Sequence, residues 1–502
     1  MTTSIERRAR TSPSRSSRGH PEETCNTVGG IDIQPLLTRR QVLAGAAGLG
    51  AAAGLTACGA TDGGRPLPVT VDAGLAAAHA DAPSFVVILS DDHRADHLGI
   101  TGVAPGLQTP NLDRIAREGV RFTDSTVTTA LCSPSRASFV TGEYARRHGV
   151  VNNISAWNPD NRTFFEQLAS AGYRCAYIGK WHMPGTLPDL RGVETFITFT
   201  IDEGQGVYTN CPLVIDGVDV ERPGTYVTTD LTDLALQWLA AGDPNQPTCL
   251  VLAHKAVHHP FEPPADLRGT YNGVPLMPTP AEAFTWETLL DRNVWEGTAG
   301  QLDKVYRRYC ETLLGLDREI GRVLDYVDAS PRARDTVVVY TSDNGYSWGE
   351  QTLTGKRWAY DVTAEVPLLV RWPAGIDSPG AERAAPVVNI DLAPTLLDLA
   401  GLPIPANMQG RSWRPMLAAD DPGWRPEVYY EYFADFPYQV PPHQAVRTPE
   451  WLYIEYERGL SPELYDRAQD PDQRTNLFGQ PGTAQLTSDL SAVLADLRTA
   501  AA

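Results

Sequence analysis

From about Ser84 onward, short apolar runs alternate with stretches of helical patterning. The first run is Phe85-Val86-Val87-Ile88-Leu89, and Arg174–Ile178, Cys249–Ala253, Thr336–Tyr340 and Pro367–Val370 follow. Helical punctuation lies between them. Thr109-Pro110 opens one helix that Gly119 closes, and Thr163 with Glu166 has capping-box spacing before a stop at Gly172. A long amphipathic segment around Val305–Val327 precedes the Thr336 run, as a crossover helix should. This rhythm predicts an α/β fold with a large, mostly parallel sheet flanked by helices. After about Gly410 the texture changes: proline and aromatics rise, and Trp451–Tyr456 and Glu463–Tyr465 read as antiparallel strands. A last helix is expected over roughly Thr483–Thr499. Residues 83–410 are therefore assigned to the main domain and 411–502 to a smaller C-terminal antiparallel subdomain.

The beginning of the chain reads differently. Residues 1–37 are rich in Arg, Ser, Thr and Pro, a composition that does not build a core. Arg39-Arg40 then precedes a soft Ala/Gly/Leu stretch ending at Leu55-Thr56-Ala57-Cys58. This resembles a twin-arginine signal over residues 1–57 with a bacterial lipobox, whose Cys58 would be lipidated, and residues 58–82 suit a flexible tether. The expected location is the outer face of the cell membrane, held only through the lipid, because no apolar run is long enough to span a bilayer. Net charge is −19, and the segment before Cys58 is itself basic, so the remainder is more acidic still. That balance argues against a nucleic-acid partner, since nothing would neutralise phosphates. Of the seven cysteines none forms a CxxC pair, which makes a thiolate metal site unlikely. Cys175 and Cys249 lie in apolar runs and are expected to be buried thiols.

Chemistry gathers after the apolar runs. Asp91-Asp92 follows the first, Gly179-Lys180-Trp181-His182 the second, His254, Lys255 and His258 the third, and Asp343-Asn344-Gly345 the fourth. Parallel strands present their carboxyl ends to one rim, where α/β folds bind ligands, so four such groups predict one site. Asp91, Asp92, Asp343 and Asn344 offer only oxygen, which selects a hard cation, and four protein ligands favour Ca²⁺ over Mg²⁺. The sharpest local motif is Cys132-Ser133-Pro134-Ser135-Arg136. Ser133 can cap a helix, Pro134 suits its first turn and Gly142 its end, which puts Cys132 at an anion-favouring N-terminus. Arg136 would sit one turn on, and an unmodified thiol there is expected to have a lowered pKa.

In order along the chain, these motifs resemble the formylglycine-dependent sulfatase family of the alkaline-phosphatase superfamily. The resemblance runs from Ser90-Asp91-Asp92 and Thr109-Pro110-Asn111-Leu112-Asp113 through the Cys132 motif and Gly179–His182. It continues through Lys255–Pro260, Thr341–Gly345 and Lys356-Arg357-Trp358 to Glu463–Asp466 and Asp470-Pro471. It implies an alkaline-phosphatase-like fold that hydrolyses a sulfate ester, releasing sulfate and an alcohol. Cys132 would be oxidised to formylglycine by a formylglycine-generating enzyme before folding. Asp91, Asp92, Asp343 and Asn344 would hold the cation together with residue 132. Arg136 would fix the hydrated aldehyde, while Lys180, His258 and Lys356 would hold the sulfate and leaving oxygens. His182 would deprotonate the second hydroxyl of the hydrate. Such a geminal diol lets one hydroxyl attack and the other expel sulfate, which neither an alcohol nor a thiol does well. Two positive charges in excess would then face a monoanionic ester. Gln351 departs from the pattern, since many relatives carry histidine there. The Gly149–Asn153 and Lys356–Pro373 stretches most resemble sulfatases of sulfated sugars, such as N-acetylglucosamine-6-sulfatases.

Three rival readings stand beside this one. A phosphonate or phosphate ester hydrolase can share the scaffold and the cysteine motif. A lipoprotein that binds sulfated glycans without turnover would not need both the Cys132 motif and His182. A thiol enzyme would need a Cys–His–Asn arrangement, and none is recognisable.

Overall fold

A computed structural model describes residues 82–276 and 299–502. Cys25, the paired Arg39-Arg40, Cys58 and all but the last residue of the expected tether lie outside these residues. Among the described residues, no helix is long and apolar enough to cross a membrane.

Among the described residues, ten strands form the main sheet. They are β1 (Ser84–Ser90), β2 (Val120–Phe122), β3 (Arg174–Gly179), β4 (Thr195–Thr198), β5 (Leu213–Ile215), β6 (Val218–Val220), β7 (Thr248–Ala253), β8 (Thr336–Ser342), β9 (Leu368–Arg371) and β10 (Ala381–Arg383). Their spatial order is β10-β2-β9-β8-β1-β7-β3-β4-β5-β6. The central four, β8, β1, β7 and β3, are parallel neighbours in register, with Ile88 beside both Tyr340 and Leu252, and Leu252 beside Ile178. The Pro367–Val370 run forms β9, which runs antiparallel to both of its neighbours.

The central strands read as unbroken apolar runs because both faces of the sheet are covered. The larger helices are α1 (Pro110–Glu118), α2 (Cys132–Thr141), α3 (Phe164–Ser170), α4 (Val227–Ala241), α5 (Ala299–Ala329) and α6 (Leu392–Leu399). Phe85, Val87 and Leu89 pack with residues of α2, α3 and α6. Val86 and Ile88 point the other way, toward α1, α4 and α5. Along α5, Tyr306, Tyr309, Leu313, Leu316, Ile320, Leu324 and Val327 are buried at helical spacing. Burying each such side chain contributes about 1.5–3 kcal/mol. Two local expectations fail. Thr163 and Glu166 form no capping box at α3; Glu166 instead takes Arg162 at 2.7 Å. Ser133 is not a cap either, because α2 already begins at Cys132 with Leu131 in the extended cap position.

The C-terminal sheet is antiparallel, with β11 (Val428–Tyr432), β12 (His443–Arg447), β13 (Trp451–Tyr456) and β14 (Glu463–Asp466) in sequential order. Its side chains alternate. Tyr429, Val446, Tyr453 and Leu464 face α7 (Ala484–Ala501), whereas Tyr430, Ala445, Ile454 and Tyr465 face Val127, Leu131, Trp358 and Tyr360. The second face thus supports Leu131, next to Cys132, and Trp358, two residues beyond Lys356. Ion pairs fasten the same joint: Arg447 binds Asp124, Asp361 and Glu365, and Arg467 reaches Asp361 at 2.7 Å and Glu365 at 2.9 Å. Burial, then Asp361, pushes the Glu365 carboxyl up to about 8.

Gly179 ends β3 with φ 120°, and a Cβ there would overlap the Ala253 carbonyl oxygen of β7. Gly179→Ala should therefore destabilise the protein by about 3 kcal/mol, read as a lower urea midpoint, since left-handed strain and overpacking combine.

Candidate active site

Helix α2 delivers the sulfur. Cys132 is its first residue and is fully buried, and Gly142 closes the helix at φ 72° with its N–H on Ser138 O. The Ser133 hydroxyl, freed from capping, donates to His182 O at 2.6 Å and lies 3.4 Å from His182 Nδ1. Ser133 N–H donates to Asn153 Oδ1 at 3.1 Å.

The four strand ends converge on this helix terminus. Cys132 Sγ lies 3.6 Å from Asp91 Oδ1 after β1, 3.7 Å from Lys180 Nζ after β3 and 2.8 Å from Lys356 Nζ. Lys180 also pairs with Asp91, and Lys356 with Asp92. Arg136, one turn into α2, donates to Asp343 Oδ2 at 2.8 Å and to Lys180 O at 2.7 Å, and its Nη2 lies 3.4 Å from Asp91. His258 Nε2 stands 3.8 Å from Asp92 Oδ2. The structure thus brings Asp91, Asp92, Cys132, Arg136, Lys180, His182, His258, Asp343 and Lys356 together, whereas Lys255 turns to the His259 carbonyl. Asp92 and His182 hold left-handed backbone at φ 61°, a conformation costly for residues other than glycine and common where a side chain must be aimed. Tyr309 on α5 braces Asp92, accepting from Arg94 N and donating to Asp92 O at 3.1 Å.

Electrostatics follow from three carboxylates and three cations shut away from water. Burial pushes Asp91 up, but Lys180, His258, Lys356 and Arg136 outweigh it and hold that carboxyl well below its usual range. Asp343 is pushed up to about 6 by burial and then by Asp91. His182 and His258 are both held well below the usual histidine range, by burial first and Lys180 next, so both rings are neutral at pH 7. The expectation of an acidic Cys132 thiol is overturned. Burial, followed by Asp91, pushes it up to about 12, and Lys180 and Lys356 do not compensate. A helix N-terminus lowers a thiol pKa only when the site does not also desolvate the thiolate and face it with carboxylates.

Gln205, Asn153 and Asp435 were not visible as site residues in the sequence. Gln205 Oε1 accepts from Lys180 Nζ at 2.6 Å. A lone glutamine in a loop carries no signal. Asn153 lies in a stretch singled out only by resemblance. Gln351 faces away from the chemistry: its amide donates to Asp472 O at 2.6 Å and Gln473 O at 3.2 Å.

A cation has donors here. Ligand atoms of Asp91, Asp92, Cys132 and His258 lie within 4.8 Å of one another. Asp343 and Asn344, also expected as ligands, bond to residues of the same cluster. Asp343 is engaged by Arg136 and by the Asp92 amide at 3.2 Å, and Asn344 Nδ2 donates to Asp92 Oδ1 at 2.6 Å. Asn344 Oδ1 is buried and has no hydrogen-bond partner among the described residues. An orphaned carbonyl oxygen among carboxylates is what a hard cation satisfies, so the residues fit such an ion.

Residues 83–402 match the sulfatase family model. The chain belongs to the sulfatase family. This sulfatase is a sulfuric ester hydrolase of the alkaline-phosphatase superfamily and hydrolyses sulfate esters. Residues 349–500 also match the C-terminal model of N-sulphoglucosamine sulphohydrolase. It is 30% identical over 484 residues to an N-acetylglucosamine-6-O-sulfatase of Bacteroides thetaiotaomicron, covering 82% of this chain and 85% of the relative. The human N-acetylglucosamine-6-sulfatase is 29% identical, with 80% and 82% covered. Among solved structures, one in complex with its substrate D-glucosamine-2-N,6-O-disulfate superposes with TM-score 0.78 at 28% identity, covering 84% of this chain and 98% of the other. The phosphonate monoester hydrolase of Agrobacterium radiobacter shares the fold at TM-score 0.68 and 22% identity, with 84% and 96% covered.

Sulfatase carrying an unmodified Cys132 should resist iodoacetamide while folded and react once denatured, since its thiol is buried and weakly acidic. Peptide mass spectrometry reads this, and rapid alkylation of the native protein at neutral pH would contradict it.

Proposed function

We propose that this sulfatase removes sulfate from a sulfated sugar, with residue 132 acting as a formylglycine beside a divalent cation. One observation carries the reading: the residue 132 side chain sits among Asp91, Lys180 and Lys356 at a helix N-terminus, sealed from water. The sugar assignment is supported by the N-acetylglucosamine-6-O-sulfatase relative and by the similar structure bound to a glucosamine disulfate.

Asp91, Asp92, Asp343, Asn344 and residue 132 would hold the ion, with Ca²⁺ preferred to Mg²⁺ because carboxylate and carbonyl oxygens dominate. When bound, the cation supplies Lewis-acid stabilisation of negative charge on the sulfate oxygens. A formylglycine-generating enzyme would convert Cys132 to an aldehyde during maturation, and the hydrate of that aldehyde would supply the hydroxyl nucleophile. The protein's own groups do the rest. Lys180 and Lys356 hold sulfate oxygens with charge already fixed by Asp91 and Asp92, so little reorganisation is needed as the reaction proceeds. Arg136, pinned by Asp343 and the Lys180 carbonyl, fixes the side chain at residue 132. His182 is neutral and accepts a proton. His258 donates Nδ1–H to the His259 carbonyl at 2.7 Å, which leaves the Nε2 lone pair facing the reacting region. That nitrogen can only accept a hydrogen bond, so the leaving oxygen takes its proton from a neighbouring ammonium, Lys180 or Lys356, or from water.

The N-terminal signal belongs to the same proposal: export through the twin-arginine route and a lipid on Cys58. Cys58→Ala should appear in the soluble exported fraction, and equal membrane retention of the variant and wild type would end that reading.

Four measurements test the chemistry. The peptide containing residue 132, from a host with the modifying enzyme, should be lighter by about 18 Da. Cys132→Ala should abolish turnover, and a wild type carrying only thiol yet working at full rate would refute the assigned nucleophile. Asp343→Ala should lose bound metal by elemental analysis and lower kcat at least about 100-fold. Stoichiometric zinc without calcium or magnesium would overturn the ion. Sulfated mono- and disaccharides, assayed beside aryl sulfates and phosphonate esters, test the substrate. A higher kcat/KM on phosphonates would favour the rival hydrolase.

A further inference from the structure

Lys180, His182 and His258 follow two different strands, β3 and β7, yet one loop touches all three. It joins β4 to β5. Tyr208 in this loop is buried and donates its hydroxyl to His258 O at 2.7 Å. Gly204 lies against His182: a Cβ there would stand 3.3 Å from His182 Cα and 3.4 Å from Cδ2 of its ring. Gln205, the next residue, accepts from Lys180 Nζ at 2.6 Å. The backbone is shaped for these contacts. Asp202 and Glu203 are left-handed at φ 51° and 56°, which residues other than glycine adopt at a cost. Gly204 and Gly206 continue the same bend at φ 86° and 68°. Amides of the loop then close it on itself, with Gly204 donating to Thr200 O at 3.1 Å, Gln205 to Asp202 O at 2.9 Å and Gly206 to Ile201 O at 3.1 Å. The Gln205 side chain therefore starts from fixed backbone.

An ammonium has three hydrogens and no lone pair, so Gln205 must face Lys180 with its carbonyl oxygen. Asp91 takes one hydrogen of Lys180 and Gln205 a second. With Cys132 Sγ 3.7 Å away, the third remains for the reacting residue and a sulfate oxygen. Asp91 alone would let the ammonium turn about a single contact. A second acceptor fixes its direction, and an uncharged one does so without cancelling the positive charge that an anionic ester needs. Electrostatic stabilisation depends on such orientation being set beforehand. We propose that Gln205 is a positioning residue of the sulfatase reaction, acting through Lys180 by holding its ammonium toward the sulfate. This inference rests on the reading of Lys180 as a holder of sulfate oxygens. It implies an effect that is blind to the alcohol part of the ester.

Gln205→Met keeps the length of the side chain and removes the acceptor. Steady-state kinetics of the mature enzyme on p-nitrophenyl sulfate and N-acetylglucosamine-6-sulfate give the readout, beside the inhibition constant of inorganic sulfate. The variant should lose about tenfold in kcat/KM on either ester and bind inorganic sulfate more weakly. In a Lys180→Ala background the same substitution should cost less than about twofold, because the group it acts through is gone. Gln205→Ala, taken through the same cycle, should agree and guards against a misfit of the methionine. The cycle can be run on one ester alone, so it stands whichever alcohol the enzyme prefers. A loss on the sugar ester but not the aryl ester would make Gln205 a contact to the alcohol and overturn the positioning role. An undiminished loss in the Lys180→Ala background, or no loss at all, would overturn it too. Lys180→Ala with unchanged kinetics would instead overturn the reading of Lys180 itself, and the role of Gln205 with it.

Discussion

Three carboxylates closed into a dry pocket repel one another, and most of this site is arranged to hold Asp91, Asp92 and Asp343 together. At the effective dielectric of such a pocket, two like charges about 4 Å apart cost roughly 4 kcal/mol. Lys180, Lys356 and Arg136 oppose that repulsion, each from a different element, so the sheet, α2 and the Lys356 loop must all be in place at once. The same mutual holding leaves the three cations fixed before an anionic ester arrives. Fold and chemistry depend on one charge balance.

Much of the site was legible because its residues directly follow strands. Asp91-Asp92, Lys180–His182 and Asp343-Asn344 come straight after apolar runs, and parallel strands in register carry those ends to one edge. Arg136 was legible through helical spacing from Cys132. What escaped depended on contacts between distant segments. The Lys180–Gln205 and Arg357–Asp435 partners come from loops whose placement no local pattern encodes. Local rules also erred where tertiary surroundings overrode them. A helix N-terminus suggested an acidic thiol, but burial and Asp91 reverse the sign. The Thr163–Glu166 spacing suggested a capping box, but Arg162 claims the carboxylate.

The C-terminal sheet earns its place through alternation. One face feeds α7 and the other supports Leu131, next to Cys132, and Trp358, two residues beyond Lys356. A rigid backing of aromatic side chains limits how far residue 132 and Lys356 can drift, and catalysis is sensitive to displacements of about 1 Å.

The joint between the two sheets also bears on how such enzymes diversify. Arg447 and Arg467 belong to the C-terminal sheet, while Asp124, Asp361 and Glu365 belong to the main domain. A chimera that took its C-terminal sheet from a relative lacking either arginine would strand buried acids with too few partners, a change that is strongly destabilising. Recombination can therefore exchange this sheet between lineages only where the partners on both sides travel together or already match. The 433–442 loop meets the same condition at one point, where buried Asp435 takes the Arg357 guanidinium. Its exposed positions, Phe436 and Tyr438, can vary while that contact and the frame beneath it are inherited together.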